Sequence, residues 1–464
     1  MAGDSDNLSI PADLLFAVAS REGRISMVLG AGCSLEAPTS LKLSWEYSVE
    51  VHDALVADGV LSIGECADPE DLSELAEVVH EKTGSQREVV RRLPISAFRL
   101  ARANRGYLLA AALMLEGSVS CIATLNYDLA LTDALRQLGA EDVGVVAGPT
   151  DLGTFGNKAV IYLHRNVDEG DLERWILRRE ALATEWESSW EELVASRISA
   201  SPVLLFAGLG SPAKVLTSSV ERVRGIVAEV PDVYLVDPKE DTPFADDLSL
   251  PDDNLVCATW TVFMERFAGR VALECCNAVR AGAGSIAEDN GWSVESSRCE
   301  HLIDAVEEMG LLSVGKVRAK WLGVERNYCA ETPESTASLA YLMLVMGHLL
   351  NDEDLGLRLT LDGLVEVTSG DGLVHHVMGI HGGGVKSWAA AEQLAGRVLA
   401  ATDPLPDVVM AGGFNGTSLG DLAPPTDIVS GNAEDDILAG WQGPQIIDAE
   451  VEMSAGRSFA ELVA

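Results

Sequence analysis

From the start of the chain to about residue 280, short β-branched runs alternate with longer helical patterns, and this alternation limits the possible folds more than any other feature. Strand, helix and strand in succession imply a mainly parallel sheet, because each crossover must pass over one face of the sheet. The expected strands are Ile25–Leu29, Val119–Thr124, Ala159–Leu163, Val203–Ala207, Val233–Val236 and Leu255–Ala258. Helical patterns between them include Leu129–Leu138, Leu172–Ser196 with Trp175, Trp186 and Trp190, and Ala213–Val227. The expected class is α/β, with a doubly wound, mainly parallel Rossmann-like sheet in the amino-terminal domain.

The pattern changes after residue 280. Small and polar residues from Ala281 to about residue 300 suggest a boundary, dividing the chain into domains 1–285 and 286–464. A helix capped by Thr332, with Pro333 at its first position, runs to about Leu350. Shorter strand-like runs then alternate with Gly and Pro clusters at His381–Gly384, Gly412–Gly413 and Pro424–Pro425. This separate helical plus α/β region is assigned assembly, regulation or partner binding as alternatives. The apolar run Leu339–Leu350 is broken by Gly347 and His348, and it falls short of the roughly 20 residues that span a bilayer. The first twenty residues lack a basic start followed by an apolar run, so a cytoplasmic location is expected. The eight cysteines form no C-x-x-C pair, which suits reduced thiols and implies no zinc. His375, His376 and His381 match no ligand spacing, and Gly382–Lys386 lacks the spacing of a phosphate loop.

Three segments carry chemistry. In Met27–Ser34 a strand runs into the turn Gly30-Ala31-Gly32-Cys33-Ser34, where backbone without side chains can approach a pyrophosphate at a helix start. The same pattern also serves a tight turn with no ligand. There is no third glycine to complete G-x-G-x-x-G, and Asp53 lies in a helical pattern rather than after a second strand, which disfavours a dehydrogenase. Thr124-Leu125-Asn126-Tyr127-Asp128 follows a strand and precedes a helix, so its polar residues face the crevice beyond the strand ends, or Asn126 or Asp128 caps that helix. Ile161–His164 ends another strand with a histidine, which is either structural or catalytic.

Taken together and in this order, G-A-G-x-S, T-x-N-Y-D and L-H resemble the sirtuin superfamily, particularly its bacterial NAD-hydrolysing members that defend against phage. Gly208-Leu209-Gly210-Ser211 after the strand Val203–Ala207 is a fourth match, and the resemblance covers roughly residues 10 to 280. It implies NAD as substrate, with Gly30, Ala31, Gly32 and Ser34 at the diphosphate and Pro38 in a loop over the nicotinamide side. Asn126 would contact the nicotinamide ribose and the attacking water, Asp128 the carboxamide, and His164 the ribose hydroxyls as general base. Gly208, Gly210 and Ser211 would line the adenosine half, with Asp237 at the adenosine ribose. The implied activity is an NAD hydrolase that depletes NAD in abortive infection, in a homo-oligomer or with an ATPase or nucleic-acid-sensing partner. Alternatives are a catalytically weak NAD or nucleotide sensor and an NAD-dependent protein deacylase or ADP-ribosyl transferase. The C-x-x-C zinc module of deacylating sirtuins is missing, which favours water as the acceptor. Arg165 stands where the family usually has glycine, and Asp237-Pro238 departs from the asparagine common after that strand.

Thirty-three basic residues stand against 72 acidic ones, a formal charge of -39. Beyond Arg358 the only basic residues are Lys386, Arg397 and Arg457, so the second half cannot neutralise a run of phosphates. The one local basic cluster, Arg91, Arg92, Arg99, Arg102 and Arg105, is read as a solvated helix face or a dock for an acidic partner. The chain alone is therefore expected not to bind DNA or RNA. Fluorescence anisotropy near physiological ionic strength checks this, and sub-micromolar affinity that weakens steeply with salt would overturn it.

Overall fold

The computed structural model describes residues 8–154, 156–178, 198, 201–209, 232–240, 242–247, 249–294, 298–324, 326–370, 372–381, 405–413 and 444–463. It divides into two compact units, Met1–Arg270 and Val271–Ala464.

The first unit is built on β1 (Ile25–Leu29), β2 (Val119–Thr124), β3 (Gly144–Val146), β4 (Ala159–Tyr162), β5 (Val203–Ala207), β6 (Asp232–Asp237) and β7 (Leu255–Cys257). Their order is β3-β4-β2-β1-β5-β6-β7, and every pairing is parallel. All residues of β1, β4 and β5 are buried, which is why they read as unbroken apolar runs rather than as an alternation. Val28, Ala123, Ile161 and Phe206 from four different strands share one core cluster.

The chain leaves β1 for β2 on one side and β5 for β6 on the other, although β1 and β5 are neighbours. Such a switch point opens a crevice beyond the carboxyl ends of the two strands. The turns after β1 and β5 close its floor: Gly30 N–H donates to the Ala207 carbonyl and Gly32 N–H to the Gly208 carbonyl, each at 2.9 Å. A Cβ on Gly30 would lie 2.4 Å from the Gly208 oxygen, and one on Gly32 2.7 Å from the Gly208 Cα. These glycines are therefore required by backbone packing, whatever the crevice holds.

Two expected features differ. β3 is a seventh strand of three residues, and its Gly144 leaves room for the Thr154 carbonyl, which a Cβ would approach to 2.0 Å. Leu172 opens a single 3-10 turn, Leu172–Arg174, instead of a long helix. The backbone turns extended at Trp175, whose ring is buried and stacks on Tyr127 at 4.7 Å. Burial of the indole overrides the helical periodicity there. Residues 179–197, with Trp186 and Trp190, and the expected helix Ala213–Val227 lie outside the described residues.

In the second unit, the helices Cys299–Glu308, Leu311–Trp321 and Pro333–Leu349 pack with a five-stranded sheet. That sheet holds β8 (Gly356–Leu359), β9 (Val365–Thr368), β10 (Val374–His381), β11 (Val408–Gly412) and β12 (Gln445–Asp448), in the order β12-β11-β10-β9-β8. β10, β11 and β12 are parallel, while β9 is antiparallel to both neighbours. Thr332 caps the third helix by accepting from Ser335 N–H, with Pro333 at the first position. Ala281–Gly284 lie inside the helix Trp260–Asn290, where a Cβ on Gly282 would come within 3.1 Å of Ala340 Cβ. No helix among the described residues is long and apolar enough to cross a membrane.

Gly208 has φ +66°, and a Cβ there would sit 2.5 Å from Cys33 N and 2.8 Å from Cys33 Sγ. Gly208→Ala is expected to lower stability by about 1–3 kcal/mol, from overpacking and a left-handed backbone. Gly153→Ala, with nothing within 4 Å, is the control. Thermal denaturation of both variants checks this, and equal midpoints would refute the close approach.

Candidate site at the strand ends

The ladder continues one residue past the strands: Leu125 N–H donates to the Leu29 carbonyl, and Leu163 N–H to the Thr124 carbonyl. The residues just beyond therefore emerge side by side. Ala31–Ser34 forms a 3-10 turn in which Cys33 N–H returns to the Gly30 carbonyl at 3.1 Å. The N–H groups of Gly30, Gly32 and Cys33 are thus engaged within the protein, and what this turn offers an approaching anion is backbone bare of side chains.

Ser34, Asn126 and Asp128 meet in one buried polar cluster. Ser34 Oγ donates to Asp128 Oδ2 at 2.9 Å, and Asn126 Nδ2 donates to the Gly30 carbonyl at 3.0 Å. Asp128 Oδ1 accepts from Ala130 N–H at 3.0 Å, so this carboxylate does serve the helix Ala130–Leu138, while its other oxygen faces Ser34. Burial raises the Asp128 pKa above the ordinary carboxylate value, and the bonds from Ala130 and Ser34 work against that rise.

Sequence reasoning missed two members of the cluster. Tyr107 Oη lies 2.8 Å from Ser34 Oγ and accepts from Asn126 Nδ2 at 3.1 Å. Asn104 caps the helix Arg105–Leu115 by accepting from Tyr107 N–H, and its Nδ2 donates to the Cys33 carbonyl at 2.8 Å. An asparagine just before an apolar helical run was the available signal for the cap.

His164 follows β4 and is half-buried. Its ring centroid is 6.3 Å from that of Tyr127, whose hydroxyl donates to the Ile176 carbonyl. Burial of the imidazole lowers its pKa to about 4; a hydrogen bond to the backbone of Leu125 opposes this, and the Arg165 charge adds to it. His164 is consequently neutral at pH 7. Arg165 is buried with φ 71°, the left-handed conformation that a glycine would adopt freely. The departure in residue type at Arg165 therefore keeps a glycine-like backbone, at a strain of about 1 kcal/mol.

Of the other expected site residues among those described, Pro38 and Asp237 make no hydrogen bond to this cluster. Pro38 is exposed beyond the turn, in the segment that Thr39 anchors by donating to the Arg102 carbonyl at 2.7 Å. Asp237 ends β6, is buried, and accepts from Lys239 N–H at 2.9 Å. Gly210 and Ser211 lie outside the described residues. The basic cluster is not one helix face. Arg91 and Arg92 pair with Glu88, Arg99 with Asp168, Arg102 with Asp133 and Arg105 with Glu265.

No family model matches this sequence, and no curated protein matches it. Among solved structures, the chain is similar to a variant Sir2 homologue in complex with ADP-ribose, at 17% identity over 56% of this chain and 96% of that one, with a TM-score of 0.33. It is also similar to a Sir2 homologue in complex with NAD, at 15% identity over 56% and 93% of the two chains, with a TM-score of 0.32. A third is a Sir2 structure bound to a propionylated peptide, at 19% identity over 55% and 94%, with a TM-score of 0.29.

The depressed His164 pKa links folding to pH. The unfolded histidine takes up a proton near 6.5 and the folded one only near 4, so stability is fully present above 6.5 and falls as pH drops through that window. Asp128 has the opposite sign, because its raised pKa makes burial more costly as pH rises. Replacing His164→Gln isolates the first effect. Urea unfolding at several pH values is expected to show the wild type losing on the order of 2 kcal/mol more than the variant on acidification. Parallel pH profiles would refute the burial of this ring.

Proposed function

We propose that the first unit binds NAD at the switch-point crevice and hydrolyses its nicotinamide-ribose bond. The observation that carries this reading is the convergence of Ser34, Asn126 and Asp128 in one hydrogen-bonded cluster beyond β1 and β2, with neutral His164 beyond the adjacent β4. In the proposed reaction, water oxygen bonds to the ribose C1′ as the bond from C1′ to the ring nitrogen breaks. The bonding pair leaves with nicotinamide, which becomes neutral. The water proton passes to His164 and then to solvent, giving ADP-ribose, nicotinamide and one proton. Because the leaving group is cationic in NAD, its departure needs no acid, and positioned dipoles suffice to stabilise the oxocarbenium-like ribose.

In this reading the diphosphate lies over Gly30, Ala31, Gly32 and Ser34, with Pro38 on the nicotinamide side. Asp128 meets the carboxamide, and Gly208, Gly210, Ser211 and Asp237 take the adenosine half. Cytoplasmic NAD depletion in antiphage defence, by a homo-oligomer or with an ATPase or nucleic-acid-sensing partner, extends the proposal and rests on the sequence resemblance. The second unit then serves assembly, regulation or partner binding. A second reading keeps the same NAD site with weak catalysis, as an NAD sensor, because a pKa near 4 leaves His164 little able to take a proton from water before the C1′–oxygen bond has formed.

Nicotinamide release from NAD by the purified chain separates the two. Asn126→Ala and His164→Ala are each expected to lower it about 10²-fold or more, with circular dichroism unchanged. Wild-type release in either folded variant would remove that residue from the chemistry, and NAD binding without release would favour the sensor.

A further inference from the structure

Tyr107 reaches the site from a helix, not from a strand end, and the polarity of its contacts follows from counting protons. The Gly30 carbonyl can only accept, so the amide nitrogen of Asn126 must face it. That nitrogen's two protons serve three acceptors: Gly30 O at 3.0 Å, Tyr107 Oη at 3.1 Å and Ser34 Oγ at 3.2 Å. The Asn126 carbonyl oxygen is thereby turned away from them, and it has no hydrogen-bond partner among the described residues. An ionised Asp128 can likewise only accept, so it takes the single proton of Ser34. The 2.8 Å contact between Tyr107 and Ser34 must then run from the tyrosine O–H to the serine oxygen. One polarity therefore runs from Asn126 N–H through Tyr107 and Ser34 to Asp128.

We infer that Tyr107 is a positioning residue of this site: its hydroxyl links the Asp128 carboxylate, through Ser34, to the Asn126 amide and holds the Asn126 carbonyl oxygen outward as acceptor for the attacking water. The inference rests on the hydrolytic reading above for its consequence, but not for the polarity itself. Hydrogen bonds in such a chain polarise one another, so drawing on the Asn126 N–H makes its carbonyl oxygen a stronger acceptor. Tyr107 is almost fully buried and packs edge-on to Trp260 at 6.2 Å, which holds its ring in place with the hydroxyl between Ser34 and Asn126.

Tyr107→Phe keeps the ring and removes the hydroxyl. With the full chain and NAD, kcat for nicotinamide release is expected to fall about tenfold with KM within about twofold, since the interaction acts on the transition state. Ser34→Ala should lower kcat likewise, whatever it does to KM through the diphosphate, and the kcat of the double variant should be little worse than that of either single one, because both interrupt one chain. A wild-type kcat in Tyr107→Phe, or losses that simply multiply, would overturn the inference and leave the hydrolytic reading intact. A readout independent of turnover is ¹³Cζ-tyrosine NMR, where the resonance absent from Tyr107→Phe identifies this residue among seven tyrosines. Asp128→Asn, which can donate to Ser34 and reverse the chain, is expected to move that resonance, and an unmoved one would overturn the polarity. If the wild type releases no nicotinamide, the hydrolytic reading fails, and the NMR result alone decides on the polarity.

Discussion

Backbone must touch backbone where the turns after β1 and β5 meet, and the rest of the crevice is arranged around that contact. Gly30 and Gly32 lie directly against Gly208, bonded through the Ala207 and Gly208 carbonyls. Cys33 Sγ also donates to the Ala207 carbonyl, at 3.4 Å. With the turn held against the sheet, Ser34 projects toward β2, where Asp128 and Asn126 receive it. Asn104 grips the same turn from the opposite side through the Cys33 carbonyl. A wedge of one methyl group at this contact would shift Ser34 relative to residues 73 and 94 positions away in sequence.

Three residues around this crevice break local rules, each in a way that works against stability. Asp128 keeps a carboxylate in a buried setting, His164 an imidazole whose protonation burial opposes, and Arg165 a left-handed backbone without being glycine. The sheet itself asks for none of them, because its strands are satisfied by apolar burial alone. Such violations gather where a protein uses them, and here they sit at the carboxyl ends of β2 and β4, which are paired neighbours.

How much could be read in advance depended on how locally each feature is determined. The long strands were legible because burial on both faces leaves a continuous β-branched run such as Val203–Ala207. Asn126, Asp128 and His164 stood out because a polar residue just after such a run must emerge at the crevice. Tyr107 did not, because in a helix with nine buried residues its ring reads as core; only the three-dimensional approach to Ser34 gives its hydroxyl a purpose. β3 is too short, and carries a glycine, to give any periodic signal. The arginines from Arg91 to Arg105 looked like one basic face because their carboxylate partners include distant Asp133, Asp168 and Glu265.

A histidine with a pKa near 4 is a poor base for abstracting a proton from bulk-like water, yet it suits the hydrolytic reading for an electrostatic reason. As nicotinamide departs, positive charge moves from the pyridinium ring onto the ribose. An imidazolium beside that ribose would repel it throughout the barrier, and in a buried setting the repulsion is weakly screened. Burial and the neighbouring Arg165 charge both hold His164 neutral, so it presents a lone pair rather than a second cation. Proton uptake becomes favourable only after the C1′ oxygen has formed its bond and the attached water has become strongly acidic. In that reading the low basicity of the imidazole restricts proton transfer to a late point, when a weak base is enough.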